Sequence, residues 1–366
     1  AAEHFAAKPV QFEVWNEANI EAFWKPAPDV TRYTALAKEA VHRVHLGNPS
    51  ALVSTTGTAG VDLEFLRDCL AQGCADEADA VGVHPYRQGG PESAGQEILR
   101  LREFIAAAVP ANPPVWQTEW GYSSTWYGDG HAQESRERQG VLAVREALTS
   151  WGLGFPLAVY YDTRDDGTDP TEKEHNFGLL THEYGDKPAM VALRTLSGFA
   201  ADRSLSAFGV ASPSSLHVME LEGAADRVYV LWSSAEGTPV PVRLPAGASV
   251  RSAMGDALTP DTEGGVASVM IDERSGPVYV VVPKPVEADA GTPAEAGAEA
   301  AADASEASVP DGSVGDAASG EAGSGGEGVE DDGGCGCETV GERGRGSAGW
   351  IAALGVALAR WRRRRG

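Results

Sequence analysis

Basic residues are scarce in this sequence, whose 366 residues include 29 Lys and Arg against 53 Asp and Glu, a formal net charge of −24. About half of that charge lies in residues 286–334, a stretch without Lys, Arg or aromatic residues. Proteins bind nucleic acids largely through Lys and Arg that displace phosphate counterions, so the acidic balance argues against a nucleic-acid partner. A neutral polymer such as a polysaccharide is compatible with it.

Several common motifs are also missing. No Gly-rich phosphate loop follows any candidate strand, which argues against a dinucleotide-binding oxidoreductase. The four Cys lack the spacing and His partners of a zinc site, and we expect neither a metal nor a cofactor. Cys69 and Cys74 are compatible with a structural disulfide in an exported protein or with two buried free thiols.

From Val10 to about Ala200, short apolar runs alternate with longer runs of helical periodicity. The candidate strands are Val10–Trp15, Ala51–Thr55, Ala80–His84, Val115–Glu119 and Leu157–Asp162. The candidate helices are Thr31–Leu46, Leu63–Gln72, Gln96–Ala108, Ser135–Trp151 and Lys187–Ala200. This alternation predicts an α/β fold with a parallel sheet, either an open doubly wound sheet or a (β/α) barrel.

The spacing of apolar residues changes after the last of these helices, and we place a domain boundary there. Residues 1–202 form the α/β domain, and short alternating runs in residues 203–285 predict a small antiparallel β-sandwich. Residues 286–334, rich in Ala, Gly and acidic residues, predict a disordered linker. Residues 335–366 form a separate tail, in which we expect a short apolar helix.

Two candidate strands end in a carboxylate, in the sequences FEVWNEAN and VWQTEWG. Because active sites of parallel barrels lie at the carboxyl ends of strands, Glu17 and Glu119 are candidate catalytic residues. Glycoside hydrolysis needs two carboxylic groups with opposite tasks, and the neighbouring Trp15 and Trp120 offer flat faces to sugars. By strand alternation, Glu13 shares a face with Glu17.

These motifs resemble those of the clan A glycoside hydrolases, most closely the family 39-like and family 5-like branches. Asn16-Glu17 resembles the signature of the clan's fourth barrel strand, and Glu119 resembles its nucleophile on the seventh. The similarity extends through DAVGVHPYR, YYDTRDDG and HNFGLLTHEYGDKPAM, and so covers about Val10 to Ala200. It implies a partial (β/α)8 TIM barrel containing strands 4 to 8, and a chain that lacks strands 1 to 3.

The resemblance implies a retaining glycosidase with a carbohydrate substrate. Glu119 is then the nucleophile and Glu17 the acid/base, with carboxyl groups about 5–5.5 Å apart. The other implied roles are binding of the sugar 2-hydroxyl by Asn16, orientation of Glu119 or contact with the sugar by Tyr86 and His84, and contact with the sugar by Trp120, Tyr161 and Asp162. The clan usually has a Trp at the end of its eighth strand, where this sequence has Tyr160, Tyr161 and Asp162. The substrate therefore stays open.

The tail combines Cys335 and Cys337, an apolar run of about 14 residues, and the basic run Arg362–Arg365. That run is shorter than the ~20 residues that span a bilayer unaided. The order of these features resembles the MYXO-CTERM sorting signal of myxobacterial exported proteins. This resemblance implies transient membrane insertion, processing near the cysteines, and a final place at the cell surface or outside the cell. The expected absence of strands 1 to 3 keeps an alternative function open, a non-catalytic carbohydrate-binding surface protein derived from a glycosidase.

Overall fold

A computed structural model of the chain describes residues 1–6, 8 and 10–285. Its first part is a five-stranded parallel sheet in which the strands pair in sequence order. The strands are β1 (Gln11–Glu13), β2 (Leu52–Ala59), β3 (Ala80–His84), β4 (Val115–Trp120) and β5 (Ala158–Tyr160). Every pairing is parallel, so all five carboxyl ends lie at one edge of what is half of a barrel sheet.

The connecting segments are helical, as the periodicity predicts. The helices are α1 (Val30–Gly47), α2 (Leu63–Ala71), α3 (Gly95–Ala108), α4 (Gln133–Leu153) and α5 (Pro188–Ala200). The side chain of Asp29 caps α1 by accepting a hydrogen bond from the Arg32 backbone N–H, and Asp62 caps α2 in the same way. Gly154, in a left-handed conformation, ends α4.

The core of this part lies between the sheet and its helices. Val53, Val81 and Val115 on neighbouring strands belong to one buried cluster with Leu66 of α2 and Leu101 of α3. The βα alternation is confirmed, but β1 is shorter than the predicted Val10–Trp15. The strand ends early because Trp15 has φ +68°, outside the extended region.

Residues 204–283 form two antiparallel sheets. The larger contains β6 (Ser204–Val210), β7 (Leu216–Glu222), β8 (Asp226–Ser233), β10 (Ser249–Arg251), β11 (Ala257–Leu258) and β14 (Val278–Pro283). The smaller contains β9 (Val240–Arg243), β12 (Asp261–Glu263) and β13 (Val266–Ile271). Both sheets contribute to one buried cluster, in which Val242 and Ile271 of the smaller join Val218 and Val280 of the larger.

The other face of the larger sheet packs against the α/β part. Met219, Val230 and Trp232 share a buried cluster with Leu148 of α4 and Leu196 of α5. This cluster ties the helical layer to the antiparallel sheets, so the two parts share buried apolar surface rather than being joined only by the chain.

A buried ion-pair network crosses the same junction. Arg145 of α4, with a side chain that is 0% exposed, lies 2.8 Å from Glu92 and 2.9 Å from Glu273. Glu92 follows β3, and it also accepts a hydrogen bond of 2.6 Å from the Trp232 indole N–H. Glu273 pairs in addition with Arg138. The Arg145 guanidinium therefore links the loop after β3 to the antiparallel part of the fold.

Of the two alternatives for Cys69 and Cys74, the structure has the disulfide, with Cα atoms 5.4 Å apart. It closes the end of α2, and both residues are buried. Among residues 1–6, 8 and 10–285, no helix combines the length and the apolar character that a membrane span requires. The predicted linker, Cys335, Cys337 and the tail lie outside the described residues.

Candidate functional site

Glu17 stands just beyond the carboxyl end of β1 in a constrained backbone conformation. Its φ is +47°, in the left-handed region that non-glycine residues seldom adopt. Its backbone N–H donates a 2.9 Å hydrogen bond to the carbonyl of Gly57 on β2, which fixes this turn against the sheet. A residue in such a conformation costs about 1–3 kcal/mol of folding free energy, which the surrounding structure must offset. Residues of this kind are concentrated at functional sites.

Glu119 lies near the carboxyl end of β4. The Tyr86 hydroxyl donates a 2.7 Å hydrogen bond to Glu119 Oε1. Burial raises the pKa of Tyr86, and the nearby Glu119 carboxylate raises it further, so the phenol keeps its proton at neutral pH. Tyr86 is therefore a fixed donor that orients one oxygen of Glu119.

His84, at the end of β3, connects the carboxylates. Its side chain is 0% exposed, and its Nδ1 lies 3.0 Å from Glu17 Oε1 and 4.0 Å from Glu119 Oε2. Its Nε2 lies 3.5 Å from Glu13 Oε2. Burial alone lowers the pKa of His84, but the contacts with Glu13 and Glu17 and the charges of Glu13 and Glu119 outweigh it and raise the pKa to about 9.

The two predicted catalytic carboxylates are close together. One ligand atom each of Glu17, His84 and Glu119 lies within 4.8 Å of the others. Residues of these types can hold a metal ion, but Tyr86 already donates to Glu119 and His84 is hydrogen-bonded to Glu17. We therefore assign no metal to this group. We treat it as two carboxylates, each with its own hydrogen-bond partner: His84 for Glu17 and Tyr86 for Glu119.

A cleft of about 570 Å³ opens over this pair, and Glu17, Glu119 and Asn16 line it. Much of the remaining wall is aromatic, from Phe23, Tyr86, Trp126, Tyr161 and Phe177. The Phe177 ring makes edge contacts with Tyr86, Trp126 and Tyr161, with ring centroids 5.3–5.9 Å apart. An aromatic wall beside two carboxylates suits a ligand with flat apolar faces and polar edges, such as a sugar.

The other predicted site residues are placed differently. His84 is buried against Glu17 and is not among the residues that line the cleft. Trp120 is 1% exposed, on the face of β4 opposite Glu119, and the Arg87 guanidinium lies 5.7 Å from its ring centroid. The Asp162 side chain accepts a hydrogen bond from the Thr163 backbone N–H and is also outside the lining.

The loop after β5 supplies lining residues that sequence reasoning missed: Lys173, Glu174 and Phe177. Two buried groups fix this loop. Lys187 Nζ donates a 2.8 Å hydrogen bond to Asp165, and a second of 3.2 Å to the carbonyl of Asn176. No motif in the sequence indicates this contribution, because it depends on how the loop folds back.

Neither the protein-family models nor the curated proteins contain a match for this chain. Solved structures do resemble it. A family 39 glycoside hydrolase from the gut symbiont Bacteroides cellulosilyticus WH2 matches 77% of this chain and 59% of its own, with TM-score 0.63 and 20% identity. A family 39 beta-xylosidase from Caulobacter crescentus matches 78% of this chain and 70% of its own, with TM-score 0.54 and 21% identity.

A third similar structure is CelM2, a bifunctional glucanase-xylanase from a metagenome library, with TM-score 0.52 and 14% identity over 77% of this chain and 67% of its own. At these identities the likeness shows the fold, a parallel half-barrel of the kind found in these glycoside hydrolases. This chain spans 59% of the length of the Bacteroides protein.

Proposed function

We propose that this chain carries the catalytic carboxylates of a retaining glycoside hydrolase, with Glu119 as nucleophile and Glu17 as acid/base. The observation that carries the proposal is the pairing of these two residues at the carboxyl ends of β1 and β4, with oxygens within 4.8 Å, at one aromatic cleft. Retaining enzymes hold their carboxyl groups about 5–5.5 Å apart, whereas inverting enzymes need about 6.5–9.5 Å to admit a water.

In the first step, a Glu119 oxygen attacks the anomeric carbon while Glu17 gives its proton to the departing glycosidic oxygen. The C–O bond to the leaving group breaks, and an ester bond joins the sugar to Glu119. In the second step, Glu17 takes a proton from water, whose oxygen attacks the anomeric carbon and releases Glu119. Tyr86 holds Glu119 in position through both steps, and Asn16, at the cleft wall, is placed to bind the sugar 2-hydroxyl.

The substrate class we propose is an oligosaccharide or polysaccharide. The aromatic wall of the cleft, with Phe23, Trp126 and Phe177, provides stacking faces for sugar rings. Two of the similar structures carry the names β-xylosidase and glucanase-xylanase, so xylosides and glucosides stand first in a substrate panel. A chain that binds these glycans but hydrolyses none of them would support the non-catalytic surface-protein alternative.

Replacing Glu17 by Ala tests the acid/base role. We expect kcat/KM to fall on the order of 10²–10⁴-fold for glycosides with poor leaving groups, because departure of the leaving oxygen then lacks a proton donor. Aryl glycosides with good leaving groups should retain much of their first-step rate. Azide should restore turnover with them, because it attacks the glycosyl-enzyme without a general base.

The matched control is Glu21→Ala, since Glu21 is an exposed carboxylate on the same loop. Initial rates across a series of aryl leaving groups, with and without azide, separate the two variants. Equal dependence on the leaving group in Glu17→Ala and wild type would contradict the assignment.

We also propose that the protein is exported to the cell surface or beyond. The Cys69–Cys74 disulfide is typical of oxidising compartments, and the sequence of the tail resembles a sorting signal. Cell fractionation and mass spectrometry of the mature C-terminus should find an extracytoplasmic protein cleaved near Cys335 and Cys337. A cytoplasmic protein that retains Arg362–Arg365 would rule this proposal out.

A further inference from the structure

Glu13 has no task in the proposed mechanism, yet the sheet makes room for its carboxylate. It extends from β1 across β2 toward β3, over two glycines. A Cβ atom added to Gly57 would lie 2.8 Å from Glu13 Oε1, and one added to Gly82 would lie closer still. Gly57 also has φ +42°, which itself favours glycine. Neighbouring strands thus leave a space that the Glu13 carboxylate fills.

His84 lies at the end of this space. Its buried Nε2 makes no hydrogen bond of ordinary geometry within the described part of the chain, and it faces Glu13 Oε2 at 3.5 Å. The other ring nitrogen, Nδ1, is 3.0 Å from Glu17 Oε1. Glu13, His84 and Glu17 therefore form a continuous line from the sheet to the cleft.

The chemistry of imidazole determines where the protons lie along this line. An ionised Glu13 only accepts hydrogen bonds, so it favours a hydrogen on His84 Nε2. Two arrangements are then open to Nδ1. In the first, the ring is an imidazolium, and the hydrogen on Nδ1 is donated to an ionised Glu17. In the second, the ring is neutral, and Nδ1 accepts the hydrogen of a protonated Glu17. Both arrangements contain the same number of protons, so Glu17 and His84 share one proton across the contact between Oε1 and Nδ1.

We propose that Glu13 is a positioning residue that acts through His84 to keep one transferable proton on the Glu17–His84 pair. It thereby sets the pH above which Glu17 stops working as an acid. The catalytic part of this inference rests on the proposed function, whereas the charge coupling between Glu13 and His84 rests on the contacts alone.

The charges around His84 support the direction of the effect. The titratable groups that face it are Glu13 on β1, Glu17 after β1, and Glu119 on β4. Tyr86 follows on its own segment, and Tyr33 of α1 lies near Glu13. The three glutamates outweigh the effect of burial and raise the pKa of His84 to about 9. Removing one negative charge from this group makes the proton easier to lose.

The test is Glu13→Gln in the full chain. The alkaline limb of kcat/KM, measured with a poor leaving group, should move down by about 1–3 pH units, the range expected for a charge at this distance. At pH values well below the alkaline limb, kcat/KM should stay within a few-fold of wild type. The His84 titration, followed by NMR on histidine-labelled protein, should move down by a similar amount.

Gly82→Ala provides a second variant, because its methyl group displaces the Glu13 carboxylate without removing it. We expect a shift in the same direction. Glu39→Gln, which changes an exposed carboxylate paired with Arg43, should leave both the pH profile and the His84 titration unchanged. These readouts distinguish a positioning role from general damage to the fold.

An unchanged His84 titration in Glu13→Gln would overturn the inference, whatever the activity. A shifted titration with an unchanged pH profile would overturn its catalytic part. If His84 shifts but Glu17→Ala behaves as wild type across leaving groups, the coupling stands and the proposed function falls. The two proposals can therefore fail separately.

Discussion

Glu119→Ala should lose nearly all hydrolysis, with kcat/KM falling on the order of 10³-fold or more. The side chain is the only proposed route to the covalent intermediate, and alanine leaves the anomeric carbon without a nucleophile. The loss should be equally deep for good and poor leaving groups, unlike that of Glu17→Ala. Steady-state rates on aryl glycosides and on oligosaccharides measure it directly.

Glu21→Ala serves as control here as well, and it should keep the wild-type rate. A Tyr86→Phe variant removes only the donor to Glu119 Oε1 and should lie between wild type and Glu119→Ala. If Glu119→Ala hydrolysed the same substrates at the wild-type rate, another residue would have to be the nucleophile.

Arg145→Met should reduce the free energy of unfolding by about 3–5 kcal/mol, the effect of removing one partner from a buried ion pair. The substitution leaves the buried Glu92 without its cation, and Glu273 keeps only Arg138. Burial alone raises the pKa of Glu92, but the Arg145 guanidinium outweighs it and holds the pKa below the ordinary 4.5. The stability from Glu92 is therefore present above about pH 4.5 and is lost as pH falls below it.

Denaturant unfolding at neutral pH measures this loss. Arg194→Met is the matched control, because its partner Asp186 is exposed and the pair should contribute less than about 1 kcal/mol. Adding Glu92→Gln to Arg145→Met should recover part of the loss, since it removes the unpaired buried charge. Equal unfolding energies for Arg145→Met and Arg194→Met would mean that the network does not hold the junction.

Much of the α/β part could be predicted from periodicity. The strand Ala80–His84 has the predicted bounds, and the helix Gly95–Ala108 begins one residue before the prediction. The early end of β1 could not be predicted, because no local signal indicates the positive φ of Trp15. The turn that follows is fixed by a tertiary contact, in which Gly57 on the next strand accepts a hydrogen bond from the Glu17 N–H.

Some residues of the candidate site could likewise be predicted from the sequence, and others could not. Glu17 and Glu119 could be found because strand-end carboxylates carry a local signal. Lys173 and Phe177 could not, because their place at the cleft depends on the buried pair of Asp165 and Lys187. Strand alternation already places Trp120 on the opposite face from Glu119, and the structure has it buried there.

Glu13 shows what pattern reasoning can and cannot supply. Alternation puts it on the same face as Glu17, but its contact with His84 requires Gly57 and Gly82 on two other strands. This line of residues, which joins β1 to β3 across β2, is visible only once the register of the sheet is known.

The most direct test of the central claim is the configuration of the first-formed product. Proton NMR on fresh hydrolysate distinguishes the two anomers before mutarotation mixes them. If Glu119 forms a glycosyl-enzyme that water opens with help from Glu17, the product keeps the anomeric configuration of the substrate. A product of inverted configuration would contradict the account, because it would require a single displacement by water with no bond to Glu119.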